Sequence, residues 1–281
     1  MAKVLATDLD GTLMYPNRFF RCIPRKNVAF VRKWIDAGNK LVIISSRGPG
    51  FIKMLEKEID RDFDYICYTS SLIRANGKII KDDSIDGDTA EKVLNIINNK
   101  HRPVAYLMNN NTETLWIKNL SGVGTLLMLI YKIYWIFQGK KREKYILNNR
   151  YFDEQVKSGN IYKVMVFFGL SGKNKEISRE VNKELRESHP EVESSWSKIV
   201  NEITPLNCNK GAGLKYYCDY LNINHDDVYV VGDSGNDITM FNLFQEHSYV
   251  MAKAYPSVKK YAKHVISRVY KLDELVLSKG E

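Results

Sequence analysis

The sequence predicts an α/β protein with a Rossmann-like, parallel-sheet core and an inserted α+β domain. Two observations predict the core. Continuous apolar runs such as residues 3–7 and Lys40–Ile44 are typical of strands buried on both faces of a parallel sheet, and they alternate with segments of helical periodicity. A third observation predicts the insert, because this alternation breaks in mid-chain and later returns. We expect a core of residues 1–81 and 205–281 around an insert of residues 82–204.

The first part of the core is predicted to begin with a βαβ unit. A helix begins at Pro24 and is capped by Gly38, since the apolar residues between them recur on one helical face. The strand Lys40–Ile44 follows, and a strand, a helix and a strand of this length form a right-handed crossover. A second helix at 49–59 and a third strand at 65–68 continue the pattern.

The insert is predicted to be α+β. It is preceded by a hairpin with Asn76-Gly77 at its turn. Its expected helices and strands lie at residues 89–99, 103–108, 113–117, 162–168, 176–188 and 198–203. Residues 126–137 are apolar except for Lys132, but this stretch is too short to cross a bilayer. We interpret it as a helix covered on most sides, with contact to the core, to another copy or to a membrane surface as alternatives.

The core pattern returns near Pro205. Lys210 and Gly211 precede a predicted helix, and a buried strand at 228–231 leads into the polar run 232–237. The remaining elements expected in the core are a strand at 249–251, a helix at 258–262 and a strand at 265–266.

Composition indicates a globular protein in a reducing compartment. The chain has 281 residues, of which 44% are hydrophobic, enough for a substantial core. Its four cysteines lack metal-ligand spacing, which favours free thiols and argues against structural zinc. Asp8 and Asp10 lie where a signal peptide would be apolar. We therefore expect a cytoplasmic location without a membrane span.

The net charge of +9 favours anionic partners. The densest basic cluster, at residues 140–144, is short and poor in aromatic residues, so we do not expect nucleic-acid binding. A small phosphorylated substrate fits the charge. The pattern leaves the oligomeric state open.

Three predicted strands end in polar residues suited to phosphoryl transfer. Asp8 and Asp10 follow the first strand, Ser45 follows the second, and Asp233 follows the strand at 228–231. Taken singly, such residues are more often solvated or capping residues. In an open α/β sheet, however, ligands bind at the carboxyl ends of the strands, so these groups are expected to converge. Carboxylates without histidine favour Mg²⁺, and the Ser45 hydroxyl and Lys210 ammonium suit phosphate oxygens.

Four ordered motifs resemble those of the haloacid dehalogenase-like (HAD) hydrolase superfamily. They are DLDGTL at 8–13, SSR at 45–47, KG at 210–211 and GDSGND at 232–237. The size and place of the insert resemble the Cof-type subfamily with a class IIB (C2B) cap. The resemblance implies a HAD-like core with an α+β cap domain.

The resemblance also implies a Mg²⁺-dependent phosphatase that acts on small phosphorylated metabolites, sugar phosphates above all, through an aspartyl-phosphate. Asp8 would be the nucleophile and Asp10 the general acid and base. The implied metal ligands are Asp8, the backbone carbonyl of Asp10, and Asp233. The implied phosphate- and substrate-binding groups are the backbone N–H groups of Leu9 and Ser46 and the side chains of Ser45, Lys210 and Asn236. Asp237 would orient Lys210 or metal-bound water, and Arg47 is a candidate partner for a core acid.

The sequence departs from the family pattern at three places. Ser46 stands where the second motif usually has glycine, and residues 68–71 lack the usual Asn-Gly. Lys253 replaces an asparagine that usually follows the fourth motif. This lysine adds positive charge near the rim of the site, which predicts a preference for more anionic substrates.

Two other functions are compatible with the same motifs. One is a phosphosugar mutase of the same superfamily, in which the phosphate returns to a sugar. The other is a receiver-like phospho-aspartate regulatory module, which also uses clustered acids, a lysine and Mg²⁺. The long insert and the expected role of Asp10 argue against the receiver-like module.

Overall fold

The chain folds into two compact units. The computed structural model describes residues 2–16, 21–122, 125, 144–169, 173–197 and 200–274. The first unit comprises Met1–Lys81 and Asn209–Glu281, and the second comprises Asp82–Cys208. The second junction lies slightly beyond the predicted boundary at 204/205, because Pro205 still pairs with Val192 in the sheet of the second unit. The apolar stretch 126–137 lies outside the described residues.

The described residues form fourteen strands and eight α-helices, labelled in chain order. The strands are β1 (Val4–Asp8), β2 (Lys40–Ile44), β3 (Asp64–Cys67), β4 (Leu72–Ala75), β5 (Lys78–Asp82), β6 (Ala105–Asn110), β7 (Thr114–Asn119), β8 (Lys144–Leu147), β9 (Ile161–Phe167), β10 (Val192–Ser197), β11 (Val200–Pro205), β12 (Val228–Gly232), β13 (Ser248–Met251) and β14 (His264–Ile266). The helices are α1 (Arg25–Asp36), α2 (Pro49–Ile59), α3 (Gly87–His101), α4 (Asn149–Ser158), α5 (Lys173–Ser188), α6 (Lys210–Tyr220), α7 (Ile238–Leu243) and α8 (Pro256–Lys259).

A mixed sheet runs through the first unit, with the order β14-β13-β12-β1-β2-β3-β4-β5 over the described residues. The strands from β14 to β3 are parallel, and β4 pairs with β3 antiparallel. Asn76 and Gly77 join β4 to β5 with φ values of 49° and 79°, as a type I′ turn requires. The first unit is thus the predicted α/β core.

Helices bury both faces of the central strands. Leu214 of α6 and Phe241 of α7 are fully buried in one apolar cluster with strand residues such as Val230. On α1, the Trp34 ring packs edge-on against Tyr229 of β12, with centroids 5.9 Å apart. Each such apolar side chain contributes about 1.5–3 kcal/mol on burial. The packing holds β1 and β12 rigidly at the centre, where the candidate site begins.

The second unit contains a six-stranded sheet, counted over its described residues, in the order β10-β11-β9-β6-β7-β8. Its neighbours are antiparallel except for β7 and β8. Residues of α3, α4 and α5 enter one apolar cluster with the strands. The sequence analysis missed β8, β10 and α4. Among the residues that the structure describes, every helix is too short or too polar to span a bilayer.

Candidate active site

The ends of three parallel strands bring the candidate residues to one edge of the first unit's sheet. β1 lies between β12 and β2, so their carboxyl ends point the same way. Asp8 closes β1 beside Ile44 of β2, and Ser45 follows Ile44. Asp233 follows the last residue of β12. One carboxylate oxygen from each of Asp8, Asp233 and Asp237 lies within 4.8 Å of the others.

The turn at Leu9–Leu13 redirects the chain immediately after Asp8. Gly11 has φ = 86°, and a Cβ atom there would lie 2.3 Å from Asp233 Oδ2 and 2.5 Å from Lys253 Nζ. Only glycine fits both the left-handed backbone and this close approach. Gly11 therefore permits the first motif to reach the loop after β12.

Lys210 is a buried cation that links two of the acids. Its Nζ lies 2.6 Å from Asp8 Oδ1 and 2.6 Å from Asp237 Oδ1, and its side chain is only 1% exposed. Burial lowers the pKa of Lys210, but Asp237 and Asp8 outweigh burial and hold the pKa above its ordinary value. Lys210 therefore remains protonated and serves as a fixed positive charge.

Asp8 is buried in a way that disfavours its charge. Burial, together with the nearby carboxylates of Asp237 and Asp233, raises the pKa of Asp8 to about 7, although Lys210 acts in the opposite direction. An additional cation would favour the ionised, nucleophilic form at neutral pH. The electrostatics of the site therefore suit a bound metal ion.

Asp237 positions the loop that carries Asp233. Its Oδ2 accepts hydrogen bonds from the backbone N–H groups of Asp233 and Ser234, each at 2.9 Å, while its Oδ1 contacts Lys210. Both oxygens of Asp237 are therefore occupied by protein donors. Asp8 and Asp233 are the other two carboxylates of the cluster, and carboxylate oxygens are the donors that suit a hard ion such as Mg²⁺.

Arg47 pairs with Asp10, an interaction that the sequence had left open. Its Nε and Nη2 donate to the two carboxylate oxygens of Asp10 at 2.6 and 2.9 Å. The guanidinium also lies 4.1 Å from the ring centroid of Phe51. Because a bidentate pair fixes the orientation of both partners, Arg47 holds the Asp10 carboxylate in a defined direction.

The remaining predicted residues lie in the loops that follow β1, β2 and β12. Ser45 is 2% exposed, and its Oγ accepts the Arg47 N–H at 3.1 Å. Asn236 accepts a hydrogen bond from Ser234 Oγ at 2.7 Å. Leu9 is fully buried, and Ser46 follows Ser45 in the loop after β2.

Lys253 lies closer to the acids than the sequence suggested. Its Nζ is 2.9 Å from Asp233 Oδ2 and 4.8 Å from the ring centroid of Tyr15. The other oxygen of Asp233 accepts from Thr12 Oγ1 at 3.2 Å. Lys253 is therefore in contact with a candidate metal ligand.

Comparison with known proteins assigns this arrangement to a family. The profile of haloacid dehalogenase-like hydrolases matches residues 5–273. The chain belongs to this family. The 5-amino-6-(5-phospho-D-ribitylamino)uracil phosphatase YwtE of Bacillus subtilis is 24% identical over 92% of this chain and 90% of its own length.

Solved structures of HAD proteins share the fold. The HAD subclass IIB sugar phosphatase BT4131 is 18% identical, with 98% of both chains covered and a TM-score of 0.72. A HAD/COF-like hydrolase from Plasmodium vivax is 20% identical, with 99% of this chain and 96% of that chain covered and a TM-score of 0.78. The predicted family, fold class and enzyme class, a HAD-type phosphatase, are confirmed.

In this haloacid dehalogenase-like hydrolase, sequence reasoning missed two residues at the site. In the sequence Thr12 stands out only as a member of the first motif, but in the structure its hydroxyl donates to Asp233. Tyr15 carried no signal, because an aromatic residue after a turn is usually a packing residue. Its contact with Lys253 depends on how far the lysine side chain reaches across the fold.

Proposed function

We propose that this protein is a Mg²⁺-dependent phosphatase that hydrolyses small phosphorylated metabolites through an aspartyl-phosphate intermediate. The observation that carries the proposal is the buried cluster of Asp8, Lys210 and Asp237 beside Asp233. A nucleophilic carboxylate, a fixed cation and a second carboxylate for a metal meet at the end of β1. This combination suits an anionic phosphoryl group.

The side chains of Asp8 and Asp233, with the backbone carbonyl of Asp10, would hold the Mg²⁺. When bound, the ion supplies positive charge that favours ionised Asp8 and neutralises phosphate oxygens. Asp237 is left to orient Lys210 and the loop of Asp233.

In the first step, an Asp8 carboxylate oxygen attacks phosphorus as the bond from phosphorus to the substrate oxygen breaks. Asp10 gives its proton to the departing oxygen. Lys210, Ser45 and the backbone N–H groups of Leu9 and Ser46 would hold the phosphoryl oxygens during this transfer.

In the second step, Asp10 takes a proton from water, and the water oxygen attacks phosphorus. The bond between phosphorus and Asp8 breaks, which releases inorganic phosphate and restores the carboxylate. Both Asp10 oxygens accept from Arg47 in the structure, so one of these hydrogen bonds must open while Asp10 carries the proton, and the other keeps the carboxyl group oriented.

Small sugar phosphates and related metabolites are the substrate class of this proposal, and Asn236 would contact phosphate or substrate. The names of relatives support it, since one is a phosphatase of a phosphoribityl compound and another is a sugar phosphatase. A cytoplasmic location remains part of the proposal.

The test is turnover of a panel of phosphorylated metabolites with and without Mg²⁺. We expect wild-type hydrolysis to need the ion and Asp8→Asn to lose at least about a thousandfold in activity. Asp226→Asn, the same substitution at an exposed position, is the matched control and should keep full activity. Equal hydrolysis by wild type and Asp8→Asn would remove Asp8 from the nucleophile role.

The same assay separates the two alternatives. Transfer of phosphate to an added sugar phosphate in place of water would indicate a phosphosugar mutase. A phosphorylated protein that persists for minutes without turnover would indicate a receiver-like module.

A further inference from the structure

Lys253 and Asp233 form an ion pair inside the candidate metal site. Lys253 lies just beyond β13, and its Nζ is 2.9 Å from Asp233 Oδ2, with side chains 34% and 14% exposed. Such a partly buried pair is screened less than a surface pair. The electrostatic attraction between the Lys253 ammonium and the Asp233 carboxylate is therefore only partly screened by solvent.

The position of the ammonium makes it a neighbour of the whole acidic cluster. A Cβ atom on Gly11 would lie 2.5 Å from Lys253 Nζ and 2.3 Å from Asp233 Oδ2. Both atoms therefore sit directly against the turn that follows Asp8. The Asp233 oxygen offered to the cluster lies within 4.8 Å of oxygens of Asp8 and Asp237.

The three acids of the cluster form ion pairs with two different lysines. Lys210 contacts Asp8 and Asp237 at 2.6 Å each, whereas Lys253 contacts Asp233. Lys210 is fully enclosed and cannot leave without exposing two buried carboxylates. Lys253 is partly exposed, and its long flexible stem allows its ammonium to move.

The ring of Tyr15 offers the Lys253 ammonium a second interaction partner. The Lys253 Nζ lies 4.8 Å from the Tyr15 ring centroid, and the Arg268 guanidinium lies 4.5 Å from the same ring. A cation over an aromatic face is stabilised by the electrostatics of the ring. The ammonium can thus leave Asp233 and remain beside Tyr15.

We propose that Lys253 is a built-in competitor of the divalent cation for Asp233. It pairs with Asp233 when no ion is bound, and it yields the carboxylate and stays at Tyr15 when an ion binds. The inference rests on the proposed function in one respect, the assignment of Asp233 to the metal. Its consequence is a weakened affinity for Mg²⁺, because the ion must break an ion pair and accept an ammonium as a close neighbour.

The test is isothermal titration of Mg²⁺ into the full-length protein at fixed pH and ionic strength, without substrate. We expect Lys253→Asn to bind Mg²⁺ about tenfold more tightly than wild type, since one adjacent like charge is removed. Lys253→Arg keeps the charge and should stay near wild type. Lys263→Asn is the matched control, because Lys263 pairs with exposed Glu246, and should also be unchanged. Equal or weaker binding by Lys253→Asn would overturn the proposal.

A second measurement separates competition from a merely structural role. Urea unfolding in EDTA should show Lys253→Asn less stable than wild type, because Asp233 loses its counter-charge. At saturating Mg²⁺ that difference should disappear. An equal loss with and without the ion would assign Lys253 to structure alone and refute the competition.

The titration is independent of turnover, so the two proposals can fail separately. Tighter Mg²⁺ binding by Lys253→Asn, together with hydrolysis that survives Asp8→Asn, would keep the competition and reject the aspartyl-phosphate mechanism. Unchanged binding by Lys253→Asn, together with hydrolysis lost in Asp8→Asn, would keep the mechanism and reject the competition.

Discussion

Replacing Lys210 with methionine tests the electrostatic centre of the site. The Lys210 side chain is 1% exposed, and its ammonium lies 2.6 Å from both Asp8 and Asp237. Removing one partner of a buried ion pair costs about 3–5 kcal/mol, because the remaining charge stays buried without compensation. At about 2–4 °C per kcal/mol for a domain of this size, Tm should fall by roughly 10 °C.

The assay is urea unfolding in EDTA. Unfolding is monitored by tryptophan fluorescence, since Trp34 is buried in the same unit. Lys215→Met is the matched control. It lies on the same helix, and its pair with Asp219 is half-exposed, so its loss should stay below about 0.5 kcal/mol. In the Lys210→Met background, Asp8→Asn should recover part of the loss, with a coupling of about 1–3 kcal/mol. Equal losses for Lys210→Met and Lys215→Met would refute the reasoning.

Three further predictions concern the titration of Asp8, a buried hydrogen bond and the cysteine thiols. Burial raises the pKa of Asp8 from 3.8 to about 7, so its contribution to stability is present below pH 3.8 and is lost as the pH rises through 7. Asp8→Asn should therefore weaken the pH dependence of the unfolding free energy over this range in EDTA. An unchanged slope against pH would contradict the raised pKa of Asp8. Tyr217→Phe removes the 2.7 Å hydrogen bond that the phenol donates to Asp64 in the core, and we expect a loss of about 1–3 kcal/mol in thermal unfolding; wild-type stability would show that this bond is dispensable. In the native protein, a thiol reagent should modify only Cys22, which is partly exposed, and fast labelling of a second thiol would contradict the burial of the others, Cys67, Cys208 and Cys218.

The core could be predicted because its strands are buried on both faces. β1, β2 and β12 are mostly apolar and are buried almost throughout, and such runs separate clearly from the helices between them. The second unit gave a weaker signal. β10 contains Glu193, Ser194 and Ser195 and lies at the edge of its sheet, so its pairing with β11 stabilises it more than its own composition does. β8 is also an edge strand, and its residues are largely exposed.

The candidate site was also only partly predictable from the sequence. The residue types at the strand ends indicated a metal and a phosphate, since those types follow from position and chemistry. The contacts did not follow from the sequence. Whether Arg47 turns to Asp10, or Lys253 to Asp233, depends on side-chain direction and on distances between segments far apart in the chain. Spacing alone does not determine such distances.

The pairing of β1 with β12 has a consequence for biosynthesis. Val4 lies beside Val228, so the ribosome must deliver most of the polypeptide before this sheet can close. Asp82–Cys208, by contrast, is one continuous piece and can fold while the C-terminal strands are still being made. During translation, the N-terminal strands therefore remain with exposed apolar side chains and unpaired edges until β12 is made. This is the interval in which a chaperone would matter most to the protein.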